Sequence, residues 1–464
     1  MKRRAPFFAP TLCLAGALLA GCAHTIPVAE APPVLDLPAG WSQGGKTGAQ
    51  EWPDAHWWQG FGSAELSQLV GEGQKDNLEL AAALSRVRQA EAQARIAGVA
   101  LLPSVDASAG AARDLPLGDH HSANVSSSGL LQVSYEIDFW GKNKAGVAAA
   151  EASLRANFYD RQTVALTVTS GIVSTYLQVL SLHDRLGVAR ENMSNAEHVL
   201  SLVEAQRSVG AATSVDLARQ RSAVASQHAA IPDLLQQERE AQSALAILLG
   251  RPAQTFRIGN YGLDTIRLPE VTPGLPSELL SRRPDIRRSE ARLAAASANV
   301  EVARAALFPS IRLTGSTGTQ SSALLSLLSG QNLFANVGAS LVAPIFDGGR
   351  LRTERDLAIE QKQELVKAYR STVLAALAEV DTVLGQIRSL DERRQLKQDE
   401  LEQTRLAYNL SEIRYKAGAE DLMTVLDTQR SLSDVQNELG ILKLKRLQAT
   451  VSLYKALGGG WNAG

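Results

Sequence analysis

Apolar and polar positions change their period several times along this chain, and the series of changes comes twice. From Ser63 to Ala100, apolar residues at Leu66, Leu69, Val70, Leu80, Leu84 and Val87 keep a helical spacing, which Leu102-Pro103 ends. Ser104 to Arg113 then alternates small apolar and polar residues. Leu131, Val133, Tyr135, Ile137 and Phe139 fall on one face of a strand, with Gln132, Ser134, Glu136 and Asp138 on the other. A helical region follows from Gly141 to about Val209; at 1.5 Å per residue, ~70 residues reach about 100 Å. A shorter helix returns from Thr213 to Leu249. The second passage has Ile311, Leu313 and Gly315, then Val337, Ala339, Leu341, Ala343 and Ile345 on strands. A long helix from Gly349 to about Ala417 and a return from Asp421 to Leu457 complete it. Val425, Leu432, Val435, Leu439, Leu442 and Leu447 give that return an apolar stripe.

The repetition keeps its register. Gly210 and Gly418, Gly141 and Gly349, and Gly250 and Gly458 each stand 208 residues apart, and Pro103 and Pro309 stand 206 apart. A period this long is a duplicated domain, not a solenoid. Gly210 and Gly418 are the only breakers between long helical stretches, so each closes a helix in the left-handed conformation and forms the tip of a hairpin. Asp421 and Thr424 can cap and start the helix after the second tip.

Residues 1–21 read as a secretory signal, with Met1-Lys2-Arg3-Arg4 positive and Phe7 to Leu19 mostly apolar. The stretch Leu19-Ala20-Gly21-Cys22 has the form of a lipoprotein processing site, which makes Cys22 the lipidated first residue of the mature chain. Ala23 after it goes with the outer membrane in known lipoproteins. Cys13, the other cysteine of the chain's two, leaves with the signal, so no disulfide remains. Residues 22–61, with Pro27, Pro32, Pro33, Pro38 and Pro53, form a lipidated tether ending in the packing anchors Trp52, Trp57, Trp58 and Phe61. The first repeat then covers 62–250, a Pro- and Gly-rich crossover 251–276, the second repeat 277–458, and a tail 459–464. Strands are expected at about 104–113 and 126–139, and at about 310–319 and 334–346. Pro276 is expected to open the helix leading to the second strand pair.

A net charge of −1 argues against nucleic acid as a partner. Beyond the signal, no apolar run approaches the ~18 residues of a spanning helix. The four alternating segments, of the length a barrel strand needs, offer the remaining way across a membrane. Four strands cannot close, and open edges in hydrocarbon leave unpaired backbone groups costing several kcal/mol each. Two chains give 8 strands, which side chains fill, whereas three give 12 and begin to leave a lumen.

The chain resembles the outer membrane factors of the TolC and OprM type, in the NodT lipoprotein branch. The residues that carry the likeness include Leu19-Ala20-Gly21-Cys22, Trp57-Trp58-Gln59-Gly60-Phe61 and Arg282-Arg283-Pro284-Asp285-Ile286. Others are Phe308-Pro309-Ser310-Ile311, Pro344-Ile345-Phe346-Asp347-Gly348-Gly349, Thr424-Val425-Leu426-Asp427-Thr428-Gln429-Arg430 and Tyr454-Lys455-Ala456-Leu457-Gly458. The resemblance implies a fold of α-helices plus transmembrane β-strands. A homotrimer forms a 12-strand outer-membrane β-barrel, continued by a long periplasmic α-helical barrel closed at its tip. It implies a passive, gated duct for small molecules, partnered by a periplasmic adaptor and an inner-membrane transporter of the RND type. Asp427 then matches a gate aspartate. Met423, four residues before it, shares its helix face. Tyr415 matches a latch tyrosine, Thr424 and Asp216 lie level with each other in the two repeats, and Glu420 stands where a latch arginine is found.

Chemistry of other kinds is missing from the sequence. There is no phosphate-binding loop, because Gly458-Gly459-Gly460 follows a helix and caps it. No nucleophile, acid–base pair or metal cluster suggests an enzyme, and no cofactor is expected beyond the lipid on Cys22. His120-His121 are more simply solvated loop residues than a metal site, and His183, His198 and His228 read as surface residues. The alternatives are a duct for type I protein secretion and a non-conducting periplasmic scaffold lipoprotein. Four alternating strands are more than a scaffold needs.

Overall fold

A computed structural model describes residues 37–42, 54–114, 124–322, 327 and 332–460. Cys22, Trp52, His120-His121 and Trp461 lie outside them. The chain divides into two compact units.

The first unit, Ala94–Ala150 with Ala294–Glu364, holds one four-stranded antiparallel sheet. Its strands are β1 (Ser104–Asp114), β2 (Asn124–Ile137), β3 (Ser310–Ser321) and β4 (Leu333–Val342), in that order. The hairpin of each repeat pairs with the other through β2 and β3, where Ile137 stands opposite Ile311 and Leu131 opposite Thr317. The registers keep odd-numbered positions on one face across all four strands: Val105 opposite Val133, Val133 opposite Gly315, and Gly315 opposite Val337. That face carries Val105, Leu131, Val133, Leu313, Val337 and Leu341, all exposed, with Val337 at 95%. The other face carries Asp106, Gln132, Glu136, Arg312 and Asn336, with Leu130, Phe334 and Val342 as large apolar exceptions. An apolar face left bare over several strands is what a lipid-facing sheet requires. β4 ends at Val342, short of the expected limit at residue 346; Pro344, which has no N–H, closes off the ladder there.

Two aspartates turn the strands into helices. Asp138 accepts bonds from the N–H groups of Asn143 (3.0 Å) and Lys144 (2.8 Å) at the start of α3 (Lys142–Ser208). Asp347 does the same for Gly349 (2.9 Å) and Leu351 (3.0 Å) at the start of α6 (Arg350–Lys416). Trp140 stacks on Phe308 at 4.6 Å and donates its indole N–H to the Pro309 carbonyl at 2.7 Å.

The second unit, Leu35–Gln93 with Glu151–Leu293 and Leu365–Gly464, is helical. The helix expected from Ser63 to Ala100 is two helices, α1 (Ala64–Asp76) and α2 (Leu78–Val99). Asn77 between them is extended; its side chain accepts from the Leu80 N–H at 2.9 Å and donates to the Leu248 carbonyl at 2.8 Å. Likewise Pro276 opens only a 3-10 turn and one helical turn. The long helix α5 (Pro284–Ala305) begins after an extended Arg283. The return helices are α4 (Ser214–Leu248) and α7 (Leu422–Ala456), 35 residues each, while α3 and α6 have 67 each.

The apolar core repeats with the sequence. Phe61, Leu66, Ile172, Tyr176, Leu245 and Leu249 pack together around Trp57 and Trp58. Leu279, Ile286, Tyr369, Val380, Leu453 and Leu457 pack together with Trp41. Ile172 and Val380, Leu245 and Leu453, and Leu249 and Leu457 keep the 208-residue offset. Burial, with the charge of Glu65 nearby, pushes the Tyr176 hydroxyl up to about 12. His183 is not the surface residue its sequence context suggests. Its side chain is 11% exposed, held between the Tyr261 carbonyl at 3.0 Å and the Glu238 carboxylate at 3.1 Å. A helical wheel cannot reveal this, because the crossover segment that covers His183 has no periodic pattern.

Candidate functional site

The two hairpin tips of the second unit are built alike to the residue. At the first, Gly210 has φ +75° and its N–H reaches the Arg207 carbonyl at 3.0 Å, while Ala211 N–H reaches Gln206 at 2.8 Å. At the second, Gly418 has φ +72°, its N–H reaches Tyr415 at 3.0 Å, and Ala419 N–H reaches Arg414 at 2.9 Å. Both are Schellman closures, which satisfy the last carbonyls of α3 and α6 and need a residue without a Cβ penalty. The return helices are capped by the same pair of side chains in reversed order. In α4 the cap is Thr213, whose hydroxyl accepts from Asp216 N–H at 3.1 Å, and Asp216 takes back the Thr213 N–H at 2.9 Å. In α7 the cap is Asp421, which accepts from Thr424 N–H at 2.8 Å and from its hydroxyl at 2.9 Å. The bonds from Thr213 hold the Asp216 carboxyl below the usual range, and those from Thr424 do the same for Asp421.

Beneath the tips lies one apolar cluster of Val199, Val203, Leu217, Tyr408, Tyr415, Leu422, Val425 and Leu432. Tyr415 is therefore a core residue of the tip, 6% exposed. Burial and then the charge of Asp216 raise its hydroxyl, and burial with Glu412 raises Tyr408 to about 12. Ser411 and Thr428 join α6 to α7 through their hydroxyls at 2.9 Å. Arg414 pairs with Glu420 at 3.2 Å, an ion pair inside the tip itself.

Met423 and Asp427, placed on one helix face by their spacing, line a groove of about 440 Å³ together with Arg219, Ser222, Ser226, Gln227, Leu426, Gln429 and Arg430. The groove brings α4 to α7. Asp427 is exposed and pairs with Arg430 at 3.2 Å. Thr424 and Asp216 serve the helix starts, and Tyr415 serves the core, so the structure brings only Met423 and Asp427 of the sequence-derived set to this groove. Sequence reasoning missed Arg430, though its three-residue spacing from Asp427 was a legible signal. It also missed Arg219, which stands 208 residues before Asp427.

A sheet with a bare apolar face and two outer strands, feeding helices of matched length in two repeats, defines the class: one subunit of a membrane channel that closes by association. Residues 69–251 and again 275–459 match the family described as outer membrane efflux protein, and the chain belongs to that family. It is 47% identical, over 88% of each chain, to the pyoverdine export outer membrane protein OpmQ of Pseudomonas aeruginosa. It is 44% identical to its namesake of Pseudomonas putida, over 97% of this chain and 98% of that one. With the toluene efflux pump outer membrane protein TtgF of Pseudomonas putida it shares 32% identity over 96% of this chain and 95% of that one.

Among solved structures it superposes on the outer-membrane channel OprN with a TM-score of 0.85 at 27% identity, over 92% of this chain and 99% of that one. The open state of the Neisseria gonorrhoeae MtrE outer membrane channel gives 0.86 at 27%, over 94% and 98%. The fold is that of the trimeric outer-membrane channels, a strand barrel to which each chain gives four strands, with a helical barrel in the periplasm. The protein is the outer-membrane component of an efflux pump and works with a periplasmic adaptor and an inner-membrane transporter.

Proposed function

We propose that this chain is the duct for an iron-chelating siderophore of the pyoverdine kind, a passive conduit that carries out no covalent chemistry. The observation that carries this is the step in identity, from 47% and 44% with the two pyoverdine exporters to 32% with the toluene pump. Deleting the gene should cut siderophore in the medium and build it up in the periplasm of iron-starved cells, with restoration by the intact gene. Unchanged secretion would refute the assignment.

The anchor in this reading is Cys22, supported by the processing-site sequence and by 30% identity to the probable outer membrane lipoprotein SilC. Cys22→Ser should leave the chain unlabelled by palmitate. The gate is the tip, where three-fold symmetry makes rings of Asp427 carboxylates and Met423 thioethers, an electrostatic and an apolar constriction. Because Arg430 already partners each carboxylate, the ring attracts multivalent cations less than three bare aspartates would. Asp427→Ala should raise resting conductance in a planar bilayer severalfold, weaken what cation block there is, and leave the trimer intact. Unaltered conductance in an assembled trimer would place the gate elsewhere.

A further inference from the structure

The sheet ends on β1 at one side and β4 at the other, and among the described residues no strand pairs with their outer edges. In hydrocarbon such an edge must find backbone partners, and three four-stranded sheets supply them where β4 of one subunit meets β1 of the next. Closure by itself does not fix how far the two strands slide along each other. A slip of one residue would turn one strand's apolar face into the lumen. Odd positions carry that face on both strands, with Val105 60%, Leu341 68% and Val337 95% exposed, so odd must stand opposite odd. Slips of two residues keep the faces, and the duplication decides among them.

First strands of the two repeats are offset by 206 residues, as Pro103 is from Pro309, and second strands by 208, as Gly141 is from Gly349. The hairpins obey these offsets: Val105 stands opposite Val133, and their counterparts Ile311 and Leu341 stand opposite each other. The β2–β3 junction inside the chain is then the pattern for the β4–β1 junction between chains. Val133 opposite Gly315 becomes Leu341 opposite Ala109 of the partner subunit, and Gln132 opposite Ser316 becomes Ser340 opposite Gly110 of the partner subunit. Gly129 opposite Thr319 becomes Val337 opposite Arg113 of the partner subunit. We infer that the subunits are joined in this register. It sets odd positions opposite odd, as the faces independently require. A row that enters at Val105 passes Val133, Gly315 and Val337 and leaves at Arg113 of the partner subunit, a climb of eight residues. Repeated three times, that climb sets the tilt of the strands and with it the width of the duct. Nothing in this seam depends on the cargo.

Disulfide cross-linking of the full-length trimer in isolated outer membranes reads the register. Opposite residues of antiparallel strands lie ~4.5–5.5 Å apart at Cα, within a disulfide's span, whereas positions displaced by two lie ~7–8 Å apart, beyond it. Ser340→Cys with Gly110→Cys in one chain should link subunits into dimers and trimers on a non-reducing gel. With copper phenanthroline it should do so at least tenfold faster than Ser340→Cys with Ser108→Cys or with Ala112→Cys. All four positions are on the lumen face, open to a water-soluble oxidant, and a Cβ on Gly110 comes no closer than 3.6 Å to a neighbouring side chain. Within one chain β2 and β3 separate β1 from β4 by ~14 Å, so every link that forms joins two subunits. Ala339→Cys with Ala111→Cys, on the lipid face, should link under iodine and reads the same register if the lumen pair fails to assemble. Faster linking to Ser108→Cys or Ala112→Cys in an assembled trimer overturns the register. No link from either matched pair in an assembled trimer overturns the seam itself.

Discussion

Each repeat closes its hairpin against the helix before its strands, and the two closures use different side chains to reach the same geometry. In the first, Asn77 interrupts the helix and donates to the carbonyl of Leu248, the last residue of α4. In the second, Arg283 interrupts it and donates to the carbonyl of Ala456, the last residue of α7, at 2.8 Å. Gly250 and Gly458 follow those helices at φ +69° and +95°. A Cβ on them would lie 2.5 Å from the Asp76 carbonyl oxygen and 2.6 Å from that of Arg282. The shared requirement is an extended residue whose side chain returns a donor to a helix C-terminus. A short amide does this with one extra bond to its own helix. The longer guanidinium does it while also gripping Asp285 through two bonds, at 3.0 and 2.8 Å, and Glu379 at 2.7 Å. Duplication conserved the job and left the residue free to change.

Substitution of the glycines tests the comparison most severely. Gly250→Val and Gly458→Val both force a Cβ into a backbone oxygen at positive φ, and each should abolish recovery of folded trimer on a sizing column. A strong loss at one and a mild loss at the other would break the equivalence. Next come the donors. Arg283→Ala leaves the half-buried Asp285 carboxylate and the Ala456 carbonyl without their donor and should cost about 2–4 kcal/mol, whereas Asn77→Ala leaves only neutral groups unmet and should cost about 1–3 kcal/mol. Denaturation midpoints of the detergent-solubilised trimer measure both.

The smallest effect is one of pH. Burial pushes the Asp285 carboxyl up, but the bonds and charge of Arg283 more than offset it and hold it below its ordinary value. A depressed carboxylate adds stability that is full above the unfolded value of about 3.9 and is lost as pH falls through the lower folded value. Asn77 has nothing to titrate. Below pH ~4, hydrogen exchange should therefore rise at the end of α7 before it rises at the end of α4, and Asp285→Asn should remove the difference in timing.

The tips show the same economy with a functional consequence. Their backbones superimpose bond for bond, and Thr213/Asp216 and Asp421/Thr424 exchange places as cap and third residue. Just above, equivalent positions carry opposite charge, Arg219 in one repeat and Asp427 in the other, and both face one groove. A further exchange lies midway along the return helices, where Pro232 corresponds to Gly440, both poor helix formers.

Sequence alone determined the duplication, the lengths of the long helices, the strand faces and the two glycine tips. These rest on local preferences: hydrophobic period, left-handed glycines and capping side chains, each readable within a few residues. It also singled out Met423 and Asp427, because a four-residue spacing on a helix fixes a shared face whatever surrounds it. Tertiary structure alone decided the breaks at Asn77 and Arg283, whose partners lie 171 and 173 residues away. It decided that His183 is covered by a crossover segment without a pattern, and that Tyr415 belongs to the core. And it decided the groove, because Arg219 and Asp427 meet only when the two hairpins pack side by side, an association no local preference encodes.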